Sequence, residues 1–318
     1  MEILYLIGNG FDLAQGFKTR YTDFYPFYVE RSIINPAINK ICAEIGRDYY
    51  TWADLEYRLG QYSVKIDKND FDDIYYDLSD KLREYLKKET QGAVFTENDL
   101  NKLKADFIQP YEYLSGIEQE SLRNMYANAS NFNINVISFN YTDVLDKALP
   151  KLGFIGTTMG VNAYHKNLYH IHGVLDKTII LGVNDKSQIA NEDFAEDEDI
   201  KDLLVKPQSN DAIRSLEAVY CQQLISRADV IILYGLSIGE TDKLWWNLIG
   251  EKLKINKDTK VVIFKYEENP IDPTKTQKLG AKRRLVIDDF MKKMGLLKDS
   301  VVRSRIYVSF DTTFMKTV

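Results

Sequence analysis

The sequence contains few residues of the kinds that build disulfides, metal centres or membrane spans. Only two of its 318 residues are cysteine and three are histidine. Cys42 and Cys221 lie far apart without metal-type spacing, which indicates a reduced, cytoplasmic protein. The first apolar run is too short to cross a membrane, and it lacks the basic flank and cleavage site of a signal peptide. We therefore expect neither a secreted protein nor a membrane partner.

Basic residues and metal-binding motifs are also scarce. Lys and Arg number 41 against 47 Asp and Glu, so the formal net charge is −6. A dedicated nucleic-acid binder needs a basic face to neutralise phosphates, so nucleic acid is a disfavoured partner and a nuclease a disfavoured function. The sequence has no HExxH motif, no Cys/His cluster and no carboxylate cluster, so no metal is expected.

Hydrophobic patterning divides the chain into three parts. Residues 1–24 contain a short apolar strand at 3–7 and a glycine turn. Residues from about 25 to 132 show helical spacing, including an apolar stripe from Phe71 to Tyr85 that indicates core packing. Within them, Asn35-Pro36 predicts a helix start. After this block, short apolar runs alternate with helical segments.

The alternating part predicts a parallel sheet. The predicted strands are 134–138, 167–169, 178–183, 229–234, 260–264 and 305–310. Two of them are continuously apolar, which is typical of parallel strands covered on both faces. The acidic run 191–202 predicts a solvated loop. We therefore expect an α/β fold with a doubly wound, mostly parallel sheet, as a single domain spanning 1–318 with 25–132 as a helical insertion.

Four polar clusters follow predicted strands, where open α/β sheets bind their ligands. They are Gly8–Asp12, Ser138–Asp143, His170–Gly173 and Gly235–Asp242. In the first cluster, backbone N–H groups beside a helix start could hold a phosphate, although a glycine pair also forms plain tight turns. In the second, Asn140 or Thr142 could instead cap a helix that begins near Asp143.

The third cluster carries two of the three histidines. His170 and His172 lie two residues apart, so in a strand their side chains share one face. His172 comes at the strand end before Gly173, where a side chain reaches the crevice, and imidazole ionises near neutral pH. This favours His172 as a general base and His170 as a packing or orienting residue.

In this order, the clusters resemble the AbiH family of bacteriophage abortive-infection proteins. Such proteins begin with a Gly-Asn-Gly-Phe-Asp turn and carry a Trp-x-Asp-Leu-Glu segment, matched here by residues 8–12 and 52–56. They also share a Phe-Asn-Tyr-Thr turn and an Ile-His-Gly strand end, matched by residues 139–142 and 171–173. The resemblance extends to about residue 264.

The same clusters are similar to the sirtuin-like NAD-binding core. The sirtuin glycine turn, Asn-containing turn, catalytic His-Gly and Gly-x-Ser turn correspond to Gly8/Gly10, Asn140, His172-Gly173 and Gly235/Ser237. The sirtuin Gly-Ile-Pro-Asp-Phe-Arg segment corresponds to Gly16-Phe17 through Asp23-Phe24. Tyr25 replaces its Arg, so Arg20 or Lys18 would have to serve, and the four-cysteine zinc module is missing. A protein-deacetylase cleft is therefore not expected.

These resemblances imply an anti-phage effector that hydrolyses NAD to nicotinamide and ADP-ribose. His172 would be the base, and Asn140 would orient ribose hydroxyls or water. Asp12 or Asp23 would lie near the developing cation, unless Asp12 caps the following helix. The nucleotide would be bound by Gly8, Asn9, Gly10, Gly235 and Ser237.

The alternative function is a non-catalytic sensor that binds NAD, ADP-ribose or a related nucleotide signal. Such a sensor shares the glycine turns but does not need His172 for chemistry. For either function the expected partners are a nucleotide, a phage-derived trigger and further copies of the chain in a homo-oligomer.

Overall fold

The strands form one sheet with the first strand near its centre. The structure is a computed structural model that describes residues 1–31, 34–267, 275–310 and 313–317. The strands in these ranges are β1 (Glu2–Ile7), β2 (Asn131–Ser138), β3 (Gly153–Thr158), β4 (Val161–His170), β5 (Val230–Tyr234), β6 (Lys260–Phe264) and β7 (Ile306–Ser309). Their order across the sheet is β3-β4-β2-β1-β5-β6-β7. Neighbouring strands are parallel except β3 and β4, which are antiparallel.

Helices occupy most of the remaining described chain. Those between β1 and β2 are α1 (Gly10–Ala14), α2 (Tyr21–Val29), α3 (Pro36–Arg47), α4 (Leu55–Tyr62), α5 (Lys68–Thr90), α6 (Glu97–Ile108) and α7 (Gly116–Ala127). Those after β2 are α8 (Val144–Ala148), α9 (Glu192–Glu196), α10 (Glu198–Leu204), α11 (Lys206–Ala212), α12 (Leu216–Arg227), α13 (Lys243–Ile255), α14 (Thr276–Lys293) and α15 (Ser300–Arg303). Short 3₁₀ turns lie at Ser63–Lys65, Pro110–Tyr113, Lys186–Gln188 and Glu240–Asp242.

The predicted α/β class and mostly parallel sheet are confirmed. Five predicted strands coincide with β1, β2, β5, β6 and β7. Alternate residues of β1 enter different cores, with Ile3 and Tyr5 on one face and Leu4 and Leu6 on the other. All four side chains are at most 1% exposed. Both faces of β1 are therefore covered, which explains why its sequence is apolar without alternation.

The segment between β1 and β2 is helical up to Ala127, and β2 begins at Asn131, two residues inside the predicted block 25–132. Residues 32 and 33 lie outside the described residues. Asn35 caps α3 by accepting the Ala37 backbone N–H at 2.8 Å. Phe71 and Leu78 on the predicted stripe of α5 are fully buried. They belong to an apolar cluster shared with residues 175–205, so the block packs onto the segment that follows β4.

Two predictions about residues 175–205 are wrong. The predicted strand 178–183 makes only isolated bridges, from Ile179 to Gly173 and from Val183 to Val205. Its apolar side chains are buried against helices, so burial and not strand pairing accounts for the apolar run. The predicted solvated loop 191–202 instead forms α9 and α10, and Asn191 caps α9 by accepting the Asp193 N–H at 3.0 Å.

The hairpin of β3 and β4 was not predicted beyond the last residues of β4. Its strands contain polar and charged residues, and their few buried positions are separated by half-buried and exposed ones, so no continuous apolar run marks them. Within the described ranges, no helix has the length and apolar character needed to cross a bilayer.

Candidate functional site

A cleft of about 470 Å³ lies at the carboxyl ends of the parallel strands. Its walls include a residue shortly after each of five strands: Gly8 after β1, Phe139 after β2, His172 after β4, Gly235 after β5 and Lys265 after β6. We refer to it as the carboxyl-edge cleft. Its place in the sheet is where open α/β proteins bind ligands.

The structure brings most of the predicted site residues to this cleft, but not all. The predicted residues in its walls are Gly8, Asn9, Gly10, His172, Gly235 and Ser237. Asp12 and Asn140 instead line an adjoining cavity of about 100 Å³. Asp23 lines neither space; its carboxylate accepts the backbone N–H of Arg20 at 3.1 Å, in the first turn of α2. Asp23 therefore caps a helix and is not placed beside a ligand.

The two glycine turns interlock. The backbone N–H of Gly8 donates to Tyr234 O at 2.9 Å, and that of Gly10 donates to Gly235 O at 2.8 Å. A Cβ on Gly10 would lie 2.4 Å from Gly235 Cα, so only glycine allows this approach. The expectation that the Gly8 and Gly10 amides hold a phosphate is wrong for this structure, because both amides are already hydrogen-bonded.

Asn9 also has a local partner. Its Nδ2 donates to Thr19 O at 3.0 Å, and its Oδ1 accepts from Thr19 Oγ1 at 2.5 Å. Both ends of the amide are thereby engaged. Asn9 ties the first turn to the chain entering α2 and contributes to the cleft wall from that fixed position.

Asp12 is a buried link between the first two polar clusters. It is fully buried, with Asn140 Nδ2 donating to Oδ1 at 3.0 Å and Thr142 Oγ1 2.5 Å from Oδ2. Burial raises the pKa of Asp12 to about 7, although the bonds from Thr142 and Asn140 oppose the rise. Asp12 therefore contacts protein groups and not the cleft. The alternative that Asn140 or Thr142 caps α8 is wrong, because both side chains bind Asp12.

Asn140 retains one free acceptor. Its side chain is buried, and its Oδ1 has no hydrogen-bond partner among the described residues. A buried carbonyl oxygen without a partner is uncommon in native proteins, which makes it a candidate acceptor for a ligand or water. Because Asp12 holds the amide nitrogen, the orientation of the amide is fixed.

The two neighbouring histidines have different carboxylate partners. His170 Nε2 lies 3.0 Å from Asp146, on α8, and outside the cleft. Burial alone would lower the pKa of His170, but the hydrogen bond and charge of Asp146 raise it. His172 Nε2 lies 3.0 Å from Asp242 Oδ1, and the side chain is only 5% exposed. His172 and not His170 therefore faces the cleft.

Glu56 and Lys206 are buried beside His172, and Asp242 is half-buried next to them; we refer to Glu56, Lys206 and Asp242 as the buried charge cluster. Lys206 Nζ donates to Glu56 Oε2 at 2.8 Å and to Asp242 Oδ1 at 2.9 Å. Burial alone would raise the pKa of Asp242, but the charges of Lys206 and His172 hold it well below its usual range. Tyr141 OH donates to Glu56 Oε1 at 2.8 Å.

Sequence reasoning did not single out the buried charge cluster. Asp242 closes the fourth polar cluster, and Glu56 closes the Trp-x-Asp-Leu-Glu segment, so both lie in motifs that could have indicated them. Lys206 follows the acidic run and has no motif. Its role becomes visible only in the folded chain, where the first residue of α11 lies between Glu56 of α4 and Asp242.

Cations and aromatic rings complete the cleft. Arg20 and Lys265 line it without an ion-pair partner in the described part of the chain. The rings of Tyr21, Phe139 and Tyr266 also face it. Among the described residues, no group of three His, Cys, Asp or Glu side chains could hold a metal ion.

Comparison with known proteins identifies the family. No curated protein matches the chain. The family described as Bacteriophage abortive infection AbiH matches residues 4–264, from β1 to the end of β6. This span contains the glycine turn, the segment with Glu56, the turn with Asn140 and the strand end with His172. The chain therefore belongs to the AbiH family of bacteriophage abortive-infection proteins.

Proposed function

We propose that this AbiH protein acts in abortive infection by binding NAD in the carboxyl-edge cleft and hydrolysing it to nicotinamide and ADP-ribose. The observation that carries the proposal is the placement of His172, backed by Asp242, in the wall of a cleft built from glycine turns at the carboxyl edge of the sheet. The proposal includes the sirtuin-like NAD-binding core, a single domain and a cytoplasmic location.

The cleft suits a dinucleotide in size and chemistry. Its volume of about 470 Å³ falls within the range of roughly 300–1,000 Å³ for small-molecule sites. Arg20 and Lys265 supply positive charge for a pyrophosphate, in place of the engaged amides of the first glycine turn. Tyr21 and Tyr266 offer rings against which a base can pack. Ser237 adds a hydroxyl on the β5 side.

Hydrolysis requires cleavage of the bond between ribose C1′ and the pyridinium nitrogen. The bonding electron pair passes to that nitrogen, nicotinamide leaves as a neutral molecule, and C1′ acquires oxocarbenium character. Water adds to C1′ and its proton passes to His172 as general base. Asp242, which is ionised and 3.0 Å from the ring, stabilises the imidazolium that forms.

Asn140 is proposed to fix the reacting ribose or the water. Its buried Oδ1 accepts no protein hydrogen bond in the described chain, and Asp12 holds its nitrogen. It lies in the cavity that shares Asn9, Tyr21 and Tyr141 with the cleft. A ribose hydroxyl or water reaching that cavity would satisfy the oxygen.

The test is release of nicotinamide from NAD by purified protein, measured by chromatography with and without phage lysate. His172→Ala and Asn140→Ala should each lower turnover by about 10²–10⁴-fold, the usual cost of losing one general acid–base group. The matched control is His170→Ala, which removes the other histidine–carboxylate pair and should retain most turnover. Unchanged turnover in His172→Ala would contradict the base assignment.

Binding measurements separate the catalytic proposal from the sensor alternative. NAD and ADP-ribose binding to the wild type and to His172→Ala is followed by calorimetry. Binding with no nicotinamide release under any condition would favour a non-catalytic sensor. Absence of binding of either ligand would reject the nucleotide site itself.

A further inference from the structure

The contact between His172 and Asp242 constrains where the imidazole carries its proton. Nε2 lies 3.0 Å from Asp242 Oδ1, yet no aligned hydrogen bond is formed within the described chain. If Nε2 lacked a proton, its lone pair would face an ionised carboxylate oxygen at that distance. A proton on Nε2 removes this repulsion, and the contact can tighten into a hydrogen bond once a ligand is bound.

Neighbouring rings restrict the imidazole further. The Phe139 ring meets it edge-on, with centroids 5.3 Å apart and planes at 89°. The Tyr141 ring lies on another side, with centroids 6.2 Å apart. These contacts oppose a ring flip that would exchange Nε2 and Nδ1, so the nitrogen next to Asp242 is defined by packing as well as by charge.

Lys206 and Glu56, the other two members of the buried charge cluster, hold Asp242 in place from two other parts of the fold. Lys206 is 6% exposed and bridges Asp242 to Glu56, which is 8% exposed and belongs to α4 of the helical block. Buried ion pairs often contribute no more stability than apolar residues of the same volume. Stability alone therefore gives little reason to place two carboxylates in the cleft wall with an ammonium between them.

We propose that Asp242 is a positioning residue that fixes the neutral His172 tautomer with its proton on Nε2 and Nδ1 as the basic nitrogen, and that Lys206 and Glu56 hold Asp242 in that position. The catalytic meaning of this tautomer rests on the proposed function, but the tautomer itself does not.

The tautomer is measured directly in the ligand-free protein by NMR of ¹⁵N-labelled histidine. The chain has only three histidines, and His172→Gln identifies the signals of His172 by their loss. In the wild type at high pH, we expect the His172 spectrum of an Nε2-protonated ring. In Asp242→Asn the Nδ1-protonated form should gain population, and in Glu56→Gln it should gain less.

The matched control is Asp146→Asn, which removes the equivalent carboxylate from His170. It should change the signals of His170 and leave those of His172 in place. Thermal melting of each variant confirms that it is folded, and Glu56→Gln provides the second reading if Asp242→Asn does not fold. An Nδ1-protonated His172 in the wild type, or a tautomer unchanged in both variants, would overturn the inference.

Kinetics then connect the tautomer to the reaction. Loss of Asp242 should lower kcat for NAD by about 10²–10⁴-fold, as expected when a catalytic imidazole is held in the wrong tautomer, while KM changes little. A lower kcat in Asp242→Asn together with a changed tautomer supports the positioning role. Equal kcat values in Asp242→Asn and the wild type overturn it. If the wild type shows no NAD turnover, the proposed function fails and the NMR result still decides the tautomer.

Discussion

Replacing Asp12 by asparagine should change how the free energy of unfolding depends on pH. The Asp12 carboxyl is fully buried and contacts Asn140 and Thr142. Asparagine has the same shape and no charge. Its Oδ1 can accept from Asn140, and its Nδ2 can donate to Thr142 Oγ1, so it reproduces the hydrogen bonds of a protonated carboxyl.

The direction of the effect follows from the raised pKa. Burial lifts the pKa of Asp12 from 3.8 to about 7 in the folded protein, while the unfolded chain keeps the ordinary value. Between these pH values the unfolded state releases the proton and the folded state keeps it, so rising pH favours unfolding. The stability associated with protonated Asp12 is therefore fully present below pH 3.8 and is lost as the pH rises through about 7.

The size of the effect follows from the same two values. Each unit of difference between the folded and unfolded pKa values of Asp12 is worth about 1.4 kcal/mol of the free energy of unfolding. The whole difference is therefore worth about 4 kcal/mol, and about 3 kcal/mol of this is lost between pH 5 and pH 8. Domains are stable by only about 5–15 kcal/mol. One buried carboxyl would thus account for a substantial part of the pH dependence of stability.

Urea unfolding at pH 5 and pH 8 measures the effect. Between pH 5 and pH 8, the free energy of unfolding should fall by about 3 kcal/mol more in the wild type than in Asp12→Asn. The control Asp258→Asn, which changes an exposed carboxylate in the turn before β6, should follow the wild type. If the difference in stability between Asp12→Asn and wild type is the same at both pH values, the argument from burial is wrong.

Three further substitutions test the packing of the site by urea unfolding. Gly10→Ala should lower the free energy of unfolding by at least about 1–3 kcal/mol, because its Cβ would lie 2.4 Å from the backbone of Gly235. In the control Gly46→Ala, in α3, the Cβ meets nothing within 4 Å, and the free energy of unfolding should rise by about 0.5–1 kcal/mol. Lys206→Met should lower the free energy of unfolding by about 3–5 kcal/mol, since it leaves the buried carboxylate of Glu56 without its cation. A loss below about 1 kcal/mol would show that water reaches Glu56. Phe314→Ala removes a fully buried ring that stacks on Phe264 at the end of β6, and it should lower the free energy of unfolding by about 3–5 kcal/mol. An unchanged urea midpoint would mean that residues 313–317 do not pack against β6 in solution.

The sequence predicted the parts of the fold that local patterns specify. Continuous apolar runs identified the central parallel strands, and helical spacing identified the block before β2. Most of the hairpin of β3 and β4 was not predicted, because an edge hairpin needs no continuous apolar run. The segment 178–183 was misassigned because burial by helices and burial in a sheet produce the same short apolar run.

The candidate site was predictable only as a set of strand ends. The sequence indicated that the turns after β1, β2, β4 and β5 meet at one edge, because parallel strands end together. It could not indicate that the first two glycine amides are consumed by the β5 turn, since that contact joins residues more than 200 positions apart in the chain. Nor could it place Lys206 between two carboxylates, which depends on how α11 packs.

The central position of β1 also determines when the carboxyl-edge cleft is completed during synthesis. β1 is synthesised before both of its neighbours in the sheet, β2 and β5, which begin at Asn131 and Val230. Until the later of these strands emerges, one edge of β1 is unpaired and the walls of the cleft beyond it do not exist. Such long-range pairing folds slowly. A nascent or truncated chain that stops before β5 would therefore have no complete cleft.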